Sequence, residues 1–365
     1  MSINICICGG GGLGHVIAGV AAHKGFNVSI LTRHPDQWNP SLLIEDCWGN
    51  TFSGSLACVT ANPAEVIPHS DIVLLCLPGF AIEEDFSTYN RSCRKNLHRK
   101  CSQLYRFFFT AYRILGKTAS LFGFQRAPFI ARVQTYGQKA LLLGYKKELQ
   151  IATVNISKSD ILLRTLQEML DTPVRMLHHF LEASLTNSNP LLHPARLYSL
   201  FHTWSRGKAY HEIPGFYNSW DEESSELLIA CDNEFQQILK ALPVRIEPIP
   251  TLLEYYDSYD ARSLTRKIRS IIAFKHIPAP MEKTEKGFLP DFKSRYFTED
   301  FPFGLLIIKS IAEVLNICTP NIDKILLWGQ DVLNKEYIHE GELKGKDLSK
   351  TGYINADLFY KLLKN

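Results

Sequence analysis

The sequence predicts an α/β domain over residues 1–180 followed by an all-α domain over residues 181–365. Three observations carry that division. A run rich in β-branched residues, Ile3-Asn4-Ile5-Cys6-Ile7-Cys8, meets a glycine cluster and passes into an Ala-rich segment that stops at Gly25, which reads as strand, tight turn and helix. Apolar runs at 27–31, 71–77 and 149–154 and a helical pattern at 159–170 continue the α/β texture. Beyond residue 180, strand candidates become scarce and helical spacing takes over.

The glycine cluster identifies the first domain as a nucleotide site of Rossmann type. Gly9, Gly11 and Gly14 occupy the fixed places of G-x-G-x-x-G. The first permits a turn that a side chain would block, the second lets a pyrophosphate approach the backbone, and the third lets the helix pack on the strand. Unpaired N–H groups at the helix start then face the phosphates, so Gly9, Gly11, Gly12, Leu13 and Gly14 form the expected cradle.

The second strand, 27–31, ends at Thr32-Arg33-His34. An NAD site places Asp or Glu near this point to hold the ribose 2′-hydroxyl. A carboxylate repels a 2′-phosphate, whereas a guanidinium binds it bidentately. Thr32 and Arg33 therefore point to NADPH, with NAD left open. The run 71–77 reads as a buried parallel strand. Its carboxyl end sets Leu77 and Pro78 beside the cofactor.

Between residues 90 and 106 the texture changes: Arg91, Arg94, Lys95, His98, Arg99, Lys100 and Arg106 occur without an acidic residue. No apolar strand can be drawn from Cys93 to Leu104, because these charges would face the core. Residues 127–144 form short alternating runs punctuated by glycine, followed by a strand at 149–154, a helix at 159–170 capped by Ser157 or Ser159, and a strand at 174–177. Helical spacing then recurs at 181–185, 195–204, 222–242, 262–274, 303–315 and 321–333. Residues 336–365 read as a loop and a short closing helix.

Composition excludes several classes. Charged residues at 21% and hydrophobic residues at 45% are ordinary globular values. A net charge of +3 is too mild for a nucleic-acid binder. The nine cysteines contain no C-x-x-C, so reduced thiols in a cytoplasmic protein are expected, with neither a disulfide framework nor a metal site. The N-terminus has no basic leader and no uncharged run reaches membrane length, so neither a signal peptide nor a membrane span is expected.

Two phrases of the second half extend the reading. They are Asn187-Ser188-Asn189-Pro190-Leu191-Leu192-His193-Pro194 and Arg295-Tyr296-Phe297-Thr298-Glu299-Asp300-Phe301-Pro302-Phe303-Gly304. Together with the glycine loop and the stretch from Pro128 to Lys146, they make the chain resemble the octopine/nopaline (opine) dehydrogenase family over nearly its whole length. The resemblance implies a Rossmann domain, a helical domain of the 6-phosphogluconate dehydrogenase type, and reaction in a cleft between them. It also implies NAD(P)H-dependent reductive condensation of an amino acid with a 2-oxo acid. His193 becomes the catalytic acid/base, Asp300 its partner, Arg295 a substrate-carboxylate or electrostatic group, and Asn189 a substrate contact. The residue chemistry suits these roles: histidine titrates near neutrality, a carboxylate orients it, and arginine forks onto carboxylates.

Each residue also has a structural reading. His193 before Pro194 reads as a helix-start residue, Asp300 as the cap of the following helix and Arg295 as a surface charge. Two other functions stay open: a 2-oxo acid or sugar-phosphate reductase that needs no amine, and a dinucleotide-binding module without catalysis. Tyr210, His211, Phe216, Tyr217, Asp232 and Glu234 are candidates to line a cleft or to fill core. A homodimer is left open.

Overall fold

The computed structural model describes residues 3–82, 100–102 and 107–364. Most of the basic stretch at 90–106 lies outside the described residues. The chain divides into two compact units, Met1–Asn187 with Lys361–Asn365, and Ser188–Tyr360.

The first unit is built on strand β1 (Asn4–Cys8), in which Ile5, Cys6, Ile7 and Cys8 are all buried. Burial on both faces marks a central parallel strand covered on each side. On one flank it pairs in parallel with β2 (Asn27–Leu31), which carries β5 (Cys58–Thr60). On the other it pairs in parallel with β6 (Ile72–Leu75), where Ile5 stands opposite Ile72. The sheet continues through β7 (Lys100–Ser102), β8 (Leu121–Phe124), β11 (Leu149–Val154) and β12 (Val174–Met176). The order β12-β11-β8-β7-β6-β1-β2-β5 is parallel except where β11 meets β8. The part β5-β2-β1-β6-β7-β8 is the doubly wound order in which dinucleotides bind at the carboxyl ends of the central strands.

Strand β7, at Lys100–Ser102, corrects the expectation that no strand runs from Cys93 to Leu104. Lys100 to Ser102 pair with β6 and Cys101 stands opposite Leu121 of β8, held by backbone hydrogen bonds that any residue type but proline can make. Arg94, Lys95 and Arg99 lie outside the described residues.

A second sheet was not read from sequence. It is formed by β3 (Ser41–Asp46), β4 (Thr51–Ser55), β9 (Phe129–Thr135) and β10 (Lys139–Tyr145) in the order β4-β3-β10-β9. Helix α1 (Gly12–His23) packs against both sheets, and every residue from Gly14 to Ala21 is buried. A helix covered on all sides cannot show a one-sided apolar stripe. Its glycines and alanines serve close packing instead: a Cβ on Gly19 would collide with Ile44 of β3, and one on Gly54 of β4 with Ala22. In helix α2 (Phe107–Leu115), Phe107, Phe108 and Phe109 are buried consecutively. Helix α3 (Ser159–Leu170) has the expected span, but Lys158 stands at its N-cap and no side chain caps it. Neither Ser157 nor Ser159 does so. Helix α4 (Phe180–Leu185) closes the unit.

The second unit is mainly helical: α5 (Asn189–Phe201), α6 (Glu222–Ala241), α7 (Ala261–Ser270), α8 (Leu306–Val314) and α9 (Pro320–Val332). Helix α5 starts six residues before the expected 195, because Pro190 falls in its first turn, where a missing N–H costs nothing. A hairpin of β13 (Met281–Thr284) and β14 (Gly287–Pro290) interrupts the helices, a feature absent from the sequence reading. The closing helix α10 (Ala356–Leu363) follows the loop as expected. Among the described residues, no helix is long and apolar enough to cross a membrane.

Candidate active site

The glycine loop in the first unit has the geometry that a pyrophosphate requires. Gly9 adopts φ +111°, and a Cβ there would stand 2.5 Å from the carbonyl oxygen of Cys76 at the end of β6. A Cβ on Gly14 would overlap the carbonyl oxygen of Gly9, so the helix meets the turn backbone to backbone. Gly11 differs: nothing lies within 4 Å of its Cβ direction, and it is exposed at the N-cap of α1 with no side chain capping the helix. The first N–H groups of an α-helix have no partner within it. A turn closed from behind and open in front, with uncapped N–H groups facing the opening, fits a dinucleotide phosphate.

Residues far apart in sequence hold this loop. His15 is fully buried, and its two ring nitrogens join the glycine turn to the second sheet. The N–H of Gly137 donates to Nε2 at 2.8 Å, which leaves Nδ1 to donate to the carbonyl of Gly11 at 3.0 Å. The ring stacks on Trp38 at 4.2 Å, and burial holds its pKa below the usual value of 6.5. Tyr136 contacts the Gly10 position and shares a 3.1 Å hydrogen bond with Thr32. Thr32 is buried, whereas Arg33 is exposed. Leu77 packs beside Gly9, and Pro78 begins a short 3-10 turn.

In the second unit the two sequence phrases meet. Arg295–Thr298 is a single helical turn that runs into a π turn, Phe301–Leu305, and then α8. Gly304 of the π turn faces Pro190 of α5, where an added Cβ would stand 3.0 Å from the proline ring. Phe301 stacks on Phe297 and closes against Gly329 of α9. This packing brings Asp300 to His193: Oδ2 accepts from Nδ1 at 2.8 Å. The other ring nitrogen, Nε2, lies 2.9 Å from the hydroxyl of Tyr217. Tyr296 and Phe216 pack edge-on around the imidazole. Burial pushes the Asp300 carboxyl above its usual range, and the hydrogen bond from His193 opposes the shift.

The structural readings of these residues separate clearly. His193 lies inside α5, beyond its start, and Asp300 occupies the cap position of the π turn without a side-chain cap bond. Arg295 is 77% exposed and directs Nε and Nη2 to one oxygen of Glu299, at 3.2 and 2.9 Å. It makes no hydrogen bond to His193 or Asp300. Asn189 is the first residue of α5. Asp232 accepts from the N–H of Leu252, the first residue of a short helix Leu252–Tyr255, and Glu234 accepts from Asn321 and Ile322 at the start of α9, so both buried carboxylates satisfy N–H groups at helix starts. His211 is exposed, and Tyr210 bridges to Phe288 of β14.

Sequence reasoning missed Arg196, which lies three residues after His193. Only 1% exposed, it donates to the carbonyls of Phe216 (2.8 Å) and Gly215 (3.4 Å) and to the hydroxyls of Ser219 (2.8 Å) and Ser224 (2.9 Å), with Asp221 at 3.6 Å. It thereby holds the loop that carries Tyr217. The only hint in the sequence was its helical spacing from His193.

Comparison with known proteins identifies the family. The model of the NAD/NADP octopine/nopaline dehydrogenase α-helical domain matches residues 176–333. Octopine dehydrogenase of Pecten maximus is 30% identical over 96% of this chain and 95% of its own length. A solved octopine dehydrogenase with NADH and L-arginine superposes with a TM-score of 0.86 at 28% identity, covering 100% of this chain and 98% of that one. The form with NADH and pyruvate gives 0.83 at 28% identity, covering 96% and 94%. The chain belongs to the octopine/nopaline (opine) dehydrogenase family and is an opine-type, nicotinamide-dinucleotide-dependent oxidoreductase of the CH–NH class.

Proposed function

We propose that the chain reductively condenses the amino group of an amino acid with a 2-oxo acid, preferring NADPH. The observation that carries this reading is the 2.8 Å bond between His193 and Asp300, 107 residues apart. An imidazole whose Nδ1–H is fixed on a carboxylate is oriented to exchange protons at its other nitrogen. The relatives supply the substrate classes, since the solved octopine dehydrogenases hold L-arginine or pyruvate.

Residues of this chain take separate tasks. Gly9, Gly11, Gly12, Leu13 and Gly14 hold the pyrophosphate, Leu77 and Pro78 flank the dinucleotide, and Arg33 binds the 2′-phosphate. The bound dinucleotide supplies a hydride. His193 holds the proton that the product nitrogen gains, and Asp300 keeps the ring oriented and stabilises its charged form. Arg295 binds a substrate carboxylate in place of Glu299, its present partner, because a guanidinium fork accepts either carboxylate. Asn189 adds a polar contact at the start of α5. The chain works in the cytoplasm, where its cysteines stay reduced.

The test is NADPH and NADH oxidation across amino acids crossed with 2-oxo acids, with mass measurement of the product. Consumption that requires both substrates and yields a secondary amine is expected. Consumption independent of the amine makes the chain a simple oxo-acid reductase, and binding without turnover makes it a dinucleotide-binding module.

A further inference from the structure

Both nitrogens of His193 are occupied. Asp300 accepts at Nδ1, so the neutral ring carries its hydrogen there, and Nε2 accepts from the Tyr217 hydroxyl at 2.9 Å. Among the described residues, the Tyr217 hydroxyl has no hydrogen-bond partner other than His193. The pair is fixed from a single helix. α5 presents His193, and Arg196 of the same helix grips the carbonyls of Gly215 and Phe216 just before Tyr217. Phe274 stacks on the tyrosine ring at 4.1 Å and an interplanar angle of 18°. The hydroxyl is therefore held against Nε2 from three sides.

We propose that the proton passes from His193 to the substrate through the hydroxyl of Tyr217. The proposal rests on the reductive-condensation reading. When Nε2 is protonated, it donates to the tyrosine oxygen, and the phenolic hydrogen then lacks an acceptor among the described residues. The basic nitrogen of the imine supplies that acceptor. As hydride adds to the imine carbon, the C=N π pair becomes the nitrogen lone pair that takes the phenolic proton. The tyrosine oxygen takes the proton of Nε2 in the same step, and the ring returns to its neutral form. The product is a secondary amine, Tyr217 ends as a phenol, and Asp300 stays ionised throughout. Burial, with Tyr296, Tyr256 and Asp300 nearby, raises the Tyr217 pKa far above its usual value, so the phenol relays a proton without resting as a phenolate.

Tyr217→Phe removes one oxygen and retains the ring stack, so it tests the relay. Turnover should fall by about a hundredfold, while KM for both substrates, the Kd for NADPH and the melting temperature stay near wild type. The double variant with His193→Ala should be no slower than the slower single variant, as expected of groups acting as one unit. A kcat within about twofold of wild type, or losses that multiply, overturns the relay. Nitrogen-15 spectra of histidine-labelled protein give a readout without turnover, with the His193→Ala spectrum assigning the signal among the 12 histidines. Wild type should show Nδ1 protonated and Nε2 hydrogen-bonded, and Tyr217→Phe should shift Nε2. Identical ring signals in both overturn the proposal even if no substrate pair reacts, which separates its failure from failure of the condensation reading.

Discussion

The Asp300 carboxylate stands at the start of a π turn and bonds Nδ1 of His193 at 2.8 Å, leaving the turn without a side-chain cap. A carboxylate in that position ordinarily satisfies free N–H groups. π turns recur at functional sites, and here the wider turn is closed by the N–H of Leu305 donating to the Asp300 carbonyl at 2.7 Å. The backbone closes the turn, and the side chain is free to serve the histidine.

Asp300→Asn keeps the shape and removes the charge. Turnover should fall by roughly 10²- to 10⁴-fold, the range of a lost acid–base partner. Stability at neutral pH should hold or rise. Burial raises the folded carboxyl pKa above the unfolded value, so the folded state binds the extra proton and stability falls as pH rises through that interval. The amide has no such cost. Steady-state kinetics and thermal melting check both halves, and unchanged kcat counts against the role of Asp300.

Arg33→Asp should reverse the cofactor preference. A charged hydrogen bond is worth about 1.5–3 kcal/mol, so the Kd for NADPH should rise by roughly 10- to 100-fold while that for NADH changes little or falls. Fluorescence titration of both cofactors decides it. A wild-type preference for NADH removes the assignment.

Arg295→Ala should raise KM for the 2-oxo acid by about tenfold or more, on the same energy scale. Its guanidinium is exposed and bonded to Glu299, so melting temperature should barely move, as expected for a solvent-exposed pair. An unchanged KM returns Arg295 to the status of a surface charge.

Cofactor binding should depend on pH through His15. Its folded pKa lies below the unfolded value of 6.5 because the ring is buried, so the unfolded chain takes up the proton first. Stability is then fully present above about pH 6.5 and is lost as pH falls toward the lowered value, at about 1.36 kcal/mol per pH unit within the interval. Protonation also removes the acceptor for Gly137, so the glycine turn, still bonded through Nδ1–H to Gly11, loses its tie to the second sheet. Urea unfolding and NADPH titration between pH 7.5 and 5 should show both losses in wild type and a shallower slope in His15→Gln. Equal slopes contradict the coupling.

Local pattern made much of this protein legible. Gly9, Gly11 and Gly14 revealed the strand–turn–helix because their spacing is a local motif, although the space behind Gly9 is closed by Cys76, far along the chain, and Gly11 stands open. Strand β11 and helix α3 were read with their observed bounds because their periodicity is local and regular. The second sheet was missed because β3 pairs with β10 from far along the chain, Leu43 opposite Lys139, and the helix it covers is buried on all sides, which erases the one-sided pattern. Asp232 and Glu234 resembled site carboxylates until their helix-capping partners at Leu252, Asn321 and Ile322 were seen.

The sequence by itself determined the glycine loop and singled out His193 and Asp300 as candidates, since turn geometry and motif spacing are properties of neighbouring residues. Only the tertiary structure decided that Asp300 orients His193, that Arg295 turns to Glu299, and that Tyr217 occupies the remaining nitrogen. Those bonds span 107, 4 and 24 residues, respectively. The two long ones depend on how Gly304 meets Pro190 and how Arg196 grips its loop. Such close packing is set by contacts between elements that no local pattern records.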